Sequence, residues 1–576
     1  MNSYCESIFK TKRWPTREVM VGPVGVGGKN PIRIQSMTTT NTRDADATID
    51  QVIRLADAGC HIVRMTVQGK LEAQSCEKIK NVLLQRGYTI PLVADIHFYP
   101  PAALMVADFV DKVRINPGNY AHPRALFKTI AIDEISYQSE IDKIEEKFSP
   151  LVEKCKRLKK PLRLGSNLGS LSDRVMNRYG DTPRGMVESA LEYARICRKL
   201  DFHDMIFSMK ASRPAIMIEA YRLLVSEMIR LGWDYPLHLG VTEAGEGEDG
   251  RIKSAVGIGS LLMDGLGDTI RISLTEDPVA EIDPCRRLIG FIEKRIGQGI
   301  EPFVEKHREK RRSAHYLHRN GSVIARASMQ ELESLPLPLQ TEPDMPDGVW
   351  IDSVCQSSVR KRLHEQKIQV IESPSVCVLS GGLLPQNATL PELIFFQPVQ
   401  SPIHETRRLI DDLKERQIDI PVILSLSYKC SAEDLIIFAA AEAGAILCDR
   451  LVEGICIETD LSIKEKSRLG FNILQSVGQR STKTEYISCP GCGRTLFDIQ
   501  SVVRRVREKT GNLPGVKIAI MGCIVNGPGE MADADFGLVG SKPGKLDLYH
   551  GKTCVKRDID IVDGPDQLVE LLRSCQ

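Results

Sequence analysis

Eight short β-branched runs, each followed by a longer amphipathic stretch, fill the first half of this 576-residue chain and leave few architectures open to it. The runs are Ile32–Met37, His61–Val67, Pro91–Ile96, Val110–Ile115, Leu162–Ser166, Met205–Met209, Pro236–Val241 and Thr269–Leu274. Between most of them apolar residues recur at i, i+3, i+4 and i+7, as in Met186–Leu200 and Ala215–Leu231, the period of a helix with one buried face. Strands joined by helical crossovers pair in parallel, and eight of them predict a closed (β/α)₈ barrel, the TIM barrel, rather than an open doubly wound sheet. The fourth crossover, roughly 120–160, is longer than the rest and has room for an extra helix. The glycine-rich VGPVGVGGKN (Val21–Asn30) reads as a hairpin across the barrel floor. It is not a dinucleotide fingerprint, since no helix-opening GxGxxG follows a strand there.

Strand interiors in such a barrel are expected to be apolar, and the C-terminal rim is where the fold places its chemistry. The strand ends here carry Gln35, Arg64, Asp95 with His97, Arg114 with Asn116, Arg163 with Asn167, Lys210, Glu243, and Arg271 with Ser273. A single arginine at a strand end is normally an ion-pair partner. Five basic residues on one rim predict a pocket for a multiply charged anion, since the guanidinium fork matches phosphate oxygens. Glu243, set among these cations, either pairs with one of them or serves as an acid or base. His97 lies on the same rim and reads as a structural histidine. The anion site is local, because Lys+Arg total 76 against 75 Asp+Glu. The basic run His307–Arg312 has no interleaved aromatics and reads as a solvated helix face, so neither nucleic acid nor a membrane is expected as a partner. The N-terminal residues offer no apolar stretch of signal-peptide length, which predicts a cytoplasmic protein whose sixteen cysteines are thiols and ligands rather than disulfides.

Beyond residue 300 the character changes. A proline-punctuated stretch, Ser334–Gly348, reads as a linker. After it, βα patterns resume with candidate strands Val349–Val354, Leu393–Val399, Pro421–Ser427 and Ala445–Asp449 and a helix at Ala432–Ala443. These are too few for a second barrel, and their ends show no comparable polar set. The chain therefore divides into a barrel (1–297), an inserted α/β spacer domain (298–475) and a C-terminal α+β domain (476–576).

That last domain holds the sharpest motifs. Cys489-Pro490-Gly491-Cys492 follows the strand TEYIS, and Cys523 ends the strand VKIAIMGC and opens the loop through Asn526 to Glu530. A CxxC pair in a turn aims two thiolates at one point, and a third from a second strand end completes three corners of a cubane cluster. Structural zinc would want a fourth Cys or His, for which Cys554 and His550 are the available recruits. A thioredoxin-like dithiol is the third reading, though it leaves the GCIVNGPGE loop without a purpose. Glu530 can supply an oxygen ligand to a fourth iron and leave it open to substrate.

The motifs CPGCGR and GCIVNGPGE, together with IVRMTV, KVRINPGN, RLGSNLGSL, SMKAS, LHLGVTEAG and TIRISL, resemble those of the 4-hydroxy-3-methylbut-2-enyl diphosphate synthase family. The resemblance implies an oxidoreductase of non-mevalonate isoprenoid biosynthesis that opens and dehydroxylates 2-C-methyl-D-erythritol 2,4-cyclodiphosphate. It further implies a 4Fe–4S cluster on Cys489, Cys492, Cys523 and Glu530, fed by ferredoxin or flavodoxin. It assigns Arg64, Arg114, Arg163, Asn167, Lys210, Arg271 and Ser273 to the substrate, and Glu243 to proton donation. The insert resembles the family's larger form, and is expected to let the cluster domain fold back onto its own barrel; monomer and homodimer both remain open.

Overall fold

A computed structural model describes residues 3–121, 133–303, 317–335, 344–372, 376–525, 527–531 and 533–575, the side chains of Pro528 and Glu530 excepted. The basic run at 307–312 and part of the proline-rich linker lie outside these residues.

The first half folds as the eightfold alternation predicts. After a hairpin, β1 (Val19–Val21) and β2 (Val24–Val26), come β3 (Arg33–Met37), β4 (Ile62–Val67), β5 (Leu92–Ile96), β6 (Lys112–Ile115), β7 (Leu162–Asn167), β8 (Met205–Lys210), β9 (His238–Leu239) and β10 (Thr269–Ile270). They pair in parallel in the order β8-β7-β6-β5-β4-β3-β10-β9, and a parallel bridge from Phe207 to Leu237 carries the ring round to β8. The hairpin plugs the floor, where Val19, Val21 and Val26 pack on Ile62, Val93 and Ile206. The long crossover carries a single described helix, Glu134–Leu158, capped by the Asp133 side chain; residues 122–132 are not described.

Three expectations are corrected. The last two barrel strands are shorter than their apolar runs; beyond β10 the chain is held instead by Glu281, which accepts from the Leu274 amide and from Arg271. The barrel interior is not apolar throughout. Above the floor, Gln35, Lys112, Arg163 and His238 are fully buried, with Lys112 only 3.5 Å from the Gln35 carbonyl and His238 Nδ1 2.7 Å from Thr269 Oγ1. Gln35 and Lys112 stand two residues before Met37 and Arg114 on their strands and Arg163 four before Asn167, so the strand's period of two sends them inward as well.

The insert is also richer than its sequence pattern. Seven parallel strands, β11 (Ser322–Arg326), β12 (Gly348–Ile351), β13 (Gln369–Glu372), β14 (Val376–Ser380), β15 (Leu393–Gln397), β16 (Val422–Ser427) and β17 (Gly454–Glu458), pair in the order β13-β12-β11-β17-β16-β15-β14. Sequence neighbours lie side by side and β17 returns to β11, which is a barrel-like winding left open between β13 and β14. Ala445–Asp449 is not a strand. It closes the helix Ala432–Cys448, whose alanine-rich run is capped by Ser431 and buried nearly all round. An apolar run buried on every side shows no period to read. This helix lies against the barrel helix Gly247–Met263 through small residues: a Cβ on Gly259 would stand 2.6 Å from Ala441 Cβ, and one on Gly444 2.8 Å from Val256 Cγ2. Arg222 and Arg407 pair with both Asp264 and Asp449 across the same seam.

The C-terminal residues form a five-stranded sheet of β18 (Glu485–Ser488), β19 (Lys517–Met521), β20 (Phe536–Lys542), β21 (Lys545–His550) and β22 (Thr553–Asp560), parallel over the first three strands and antiparallel after. It sits on the C-terminal rim of the barrel in the same chain. No described helix is long and apolar enough to cross a membrane.

Candidate active site

The barrel rim and the edge of the C-terminal sheet face each other across a cavity of about 80 Å³. From below it is lined by Arg64, Asp95, His97, Arg114, Asn167, Lys210, Glu243, Arg271 and Ser273, and from above by Cys489, Cys492, Arg494 and Cys523. Arg64, Asp95, Arg114, Asn167 and Lys210 lie within barrel strands, and His97, Glu243, Arg271 and Ser273 on the residues that follow strand ends, so parallel register and the strand-end loops together converge them.

Positive charge dominates. Arg114 is held by Asp95 at 2.6 Å, the Gly165 carbonyl at 2.9 Å and Asn167 Oδ1 at 2.9 Å, which aims its fork across the cavity. Arg271 makes a two-pronged pair with Glu281 at 2.8 and 2.9 Å. Arg64 donates to the Met37 sulfur, a weak acceptor. Burial, reinforced by neighbouring cations, lowers Arg64 to about 9 and holds Lys210 well below the usual lysine range. Buried cations that depress one another are in search of an anion, and sites of this kind cluster where function is. His97 is satisfied by Arg114 and Asn119, and burial followed by the charge of Arg494 brings it down to about 3, so it is neutral.

Arg163 is not among the lining residues. It lies one layer down, fully buried, and its three nitrogens have no hydrogen-bond partner among the described residues. Glu243 reaches the cavity from a left-handed backbone (φ 49°), a conformation costly for a residue with a Cβ and found where a site demands it.

The upper wall is built from two adjacent parallel strands. Ser488 pairs in register with Ile520, so the loops after β18 and β19 leave the sheet side by side and bring Cys489 and Cys523 to one edge. Gly491 takes φ +78° to turn the CxxC loop, the Thr495 hydroxyl accepts from the Cys492 amide at 2.9 Å, and the Gly522 amide donates to Cys489 Sγ at 3.2 Å. No group of three His, Cys, Asp or Glu side chains in metal-binding arrangement occurs among the described residues; the Glu530 side chain lies outside them. Cys554 and His550 sit on the β21–β22 ribbon and do not line the cavity. None of the sixteen cysteines is joined in a disulfide.

The C-terminal domain is seated tightly. The Thr275 hydroxyl donates to the Ser488 and Cys489 carbonyls, Lys253 pairs with Glu485 at 2.9 Å, and Gly169 meets Gly529 so closely that a Cβ on Gly169 would stand 2.2 Å from the Gly529 oxygen. Sequence reasoning singled out none of Met37, Thr242, Arg494 and Met521, which also line the cavity. The only signal for Arg494 was its place two residues after Cys492.

Comparison with known proteins agrees with this architecture. The family model described as the GcpE TIM-barrel domain matches residues 16–286, and that of the GcpE protein C-terminal domain matches 485–574. A Protochlamydia amoebophila protein named 4-hydroxy-3-methylbut-2-en-1-yl diphosphate synthase (flavodoxin) is 51% identical, covering 99% of this chain and 97% of that relative. The chloroplastic 4-hydroxy-3-methylbut-2-en-1-yl diphosphate synthase (ferredoxin) of Arabidopsis thaliana is 48% identical over 99% of this chain and 88% of its own length. A Chlamydia trachomatis serovar D relative with the flavodoxin name is 45% identical over 99% of this chain. The chain thus belongs to the 4-hydroxy-3-methylbut-2-en-1-yl diphosphate synthase family.

Proposed function

We propose that this chain is an oxidoreductase of non-mevalonate isoprenoid biosynthesis that opens and dehydroxylates 2-C-methyl-D-erythritol 2,4-cyclodiphosphate to 4-hydroxy-3-methylbut-2-enyl diphosphate. Two electrons enter, from ferredoxin or flavodoxin, and one hydroxyl departs as water. The observation that carries the reading is the placement of three cysteines on the roof of a cation-lined anion pocket.

The donor set fits a 4Fe–4S cluster. Cys489, Cys492 and Cys523 are three soft ligands on glycine-wrapped loops, and Glu530 follows on the same loop as Cys523 to supply an oxygen ligand. When bound, that cluster supplies low-potential electrons and a Lewis-acidic iron beside the substrate. The remaining tasks fall to side chains. Arg64, Arg114, Lys210 and Arg271, with Asn167 and Ser273, bind the two phosphates, and Arg163 adds positive charge from beneath. Their fixed directions orient the ring, and the seated roof excludes water, which strengthens each charge interaction inside. Glu243 holds the proton that the departing hydroxyl takes with it.

The same reading divides the chain into barrel (1–297), insert (298–475) and cluster domain (476–576), a division supported by the family matches at 16–286 and 485–574. It places the protein in a reducing cytoplasm, which sixteen cysteines without a disulfide favour. It makes one chain a complete unit, supported by the C-terminal domain seated on its own barrel. The test is anaerobic turnover of the cyclic diphosphate with reduced flavodoxin or ferredoxin. No turnover by protein carrying its cluster would end the proposal. Mixing an Arg271→Ala chain with a Cys523→Ser chain should restore nothing; recovered activity would place the site across two chains.

A further inference from the structure

Arg494 is the one charged side chain that the C-terminal domain adds to the described cavity lining, and it reaches down to the barrel. Its Nη2 stands 3.4 Å from Asp95 Oδ2, with the arginine side chain 9% exposed and the carboxylate 2%. Its Nε is buried with no hydrogen-bond partner among the described residues. Asp95 is already engaged through its other oxygen by Arg114 at 2.6 Å. One buried carboxylate is therefore shared by a cation of the barrel and a cation of the roof, closely by the first and loosely by the second. The other ion pairs that seat the C-terminal domain, such as Lys253–Glu485 at 2.9 Å, lie outside the cavity.

We propose that Arg494 is a positioning residue that couples closure of the C-terminal domain to occupancy of the anion site by trading Asp95 with Arg114. The inference rests on the anion-binding role of the rim proposed above. An arriving diphosphate competes with Asp95 for the Arg114 fork. A buried carboxylate that loses its partner carries a large desolvation cost unless another cation takes its place. Arg494 is the roof cation already at hand, and it is at hand only while the domain is seated. Binding of the anion thus tightens closure, and by thermodynamic reciprocity closure tightens binding of the anion by the same factor.

The experiment uses full-length, cluster-loaded protein without oxygen and the cyclic diphosphate itself as probe. It measures substrate affinity alongside hydrogen exchange in the barrel loop 38–44, whose Thr40 carbonyl lies under Gly493. In the wild type, substrate should slow exchange there. Arg494→Gln should weaken substrate binding about tenfold, the scale of one charge-assisted hydrogen bond, and abolish the exchange response while the cluster's visible spectrum is kept. Arg494→Lys should restore most of both. Asp95→Asn combined with Arg494→Gln should be no worse than the poorer single variant. A substrate-responsive loop in Arg494→Gln, or simple additivity in the double variant, overturns the proposal. Should Arg494→Gln fail to fold, Asp95→Asn alone decides, since its loop must no longer answer to substrate. A wild type that binds no cyclic diphosphate defeats the functional reading itself, and this inference with it.

Discussion

The chain contains two parallel βα windings, and both end their strands in polar residues, yet only one reads as a site of chemistry. At the barrel rim Arg64, Arg114, Lys210 and Arg271, with Arg494 from the roof above, face a cavity whose lining offers only Asp95 and Glu243 in return. At the corresponding end of the insert, Arg326 is taken up by Asp352 at 2.6 Å and Glu458 at 2.9 Å, and Glu458 also accepts from Gln397 at 3.0 Å and from the Ser425 hydroxyl. The remaining charges there, Lys429 and Lys466 against Glu331 and Asp460, balance. Polarity at a strand end is thus not the signal. An excess of one charge, buried under a roof, is what marks a place prepared for a ligand. The insert's polar rim also corrects the sequence reading, which found no such set.

The comparison can be broken most severely at the roof. Cys523→Ser should remove bound iron and turnover together, because two remaining thiolates are too few to anchor a cluster; iron analysis beside the activity assay decides it. Next come the rim cations. Lys210→Ala and Arg271→Ala should each weaken the cyclic diphosphate by about 1.5–3 kcal/mol, roughly 10- to 150-fold, as read by titration calorimetry. Arg326→Ala, the matching change in the insert, should leave that affinity unchanged, and a comparable loss would show that the two rims are not distinct. Gly169→Ala tests the seat between the barrel rim and the roof. A Cβ there collides with the Gly529 oxygen at φ +76°, so the roof must shift, and kcat/KM should fall roughly 10- to 100-fold with the cluster retained.

A smaller effect concerns the seam between N-terminus and insert. His404 contacts the Ile8 carbonyl at 2.8 Å and the Thr11 hydroxyl at 3.2 Å, and burial followed by the charge of Arg407 lowers it from 6.5 to about 4. The native protein keeps it neutral while the unfolded chain protonates below 6.5. Its contribution to stability is therefore full above pH 6.5 and is lost as the pH falls from there to about 4. His404→Gln should flatten that part of the Tm-versus-pH curve; an unchanged slope would exclude it. The smallest expected effect is on stability in Arg326→Ala, about 1 kcal/mol or less for a partly exposed pair.

These contrasts also explain what could be read from sequence. The barrel was legible because six of its strands are fully regular and most carry a residue type foreign to an apolar core; Arg64, Arg114 and Lys210 stand out against IVRMTV, KVRI and MIFSMK. The spacing of Cys489, Cys492 and Cys523 was legible because a CxxC turn and glycines beside Cys492 and Cys523 set the thiols apart from the lone buried cysteines. The insert was less so, since β13 and β14 are sheet-edge strands with little buried surface and its longest helix is apolar on nearly every face. The buried layer of Lys112, Arg163 and His238 was hidden because alternation tells facing but not depth. Arg494 was hidden because its importance lies in Asp95, 399 residues away in the chain.

The central claim is that the roof of this anion pocket carries a redox cluster. Iron, acid-labile sulfide and zinc, measured on protein purified without oxygen together with its visible spectrum, test it most directly. The account predicts about four iron and four sulfide per chain with a broad brown absorbance band. Stoichiometric zinc without sulfide, persisting after attempted cluster reconstitution, would contradict it.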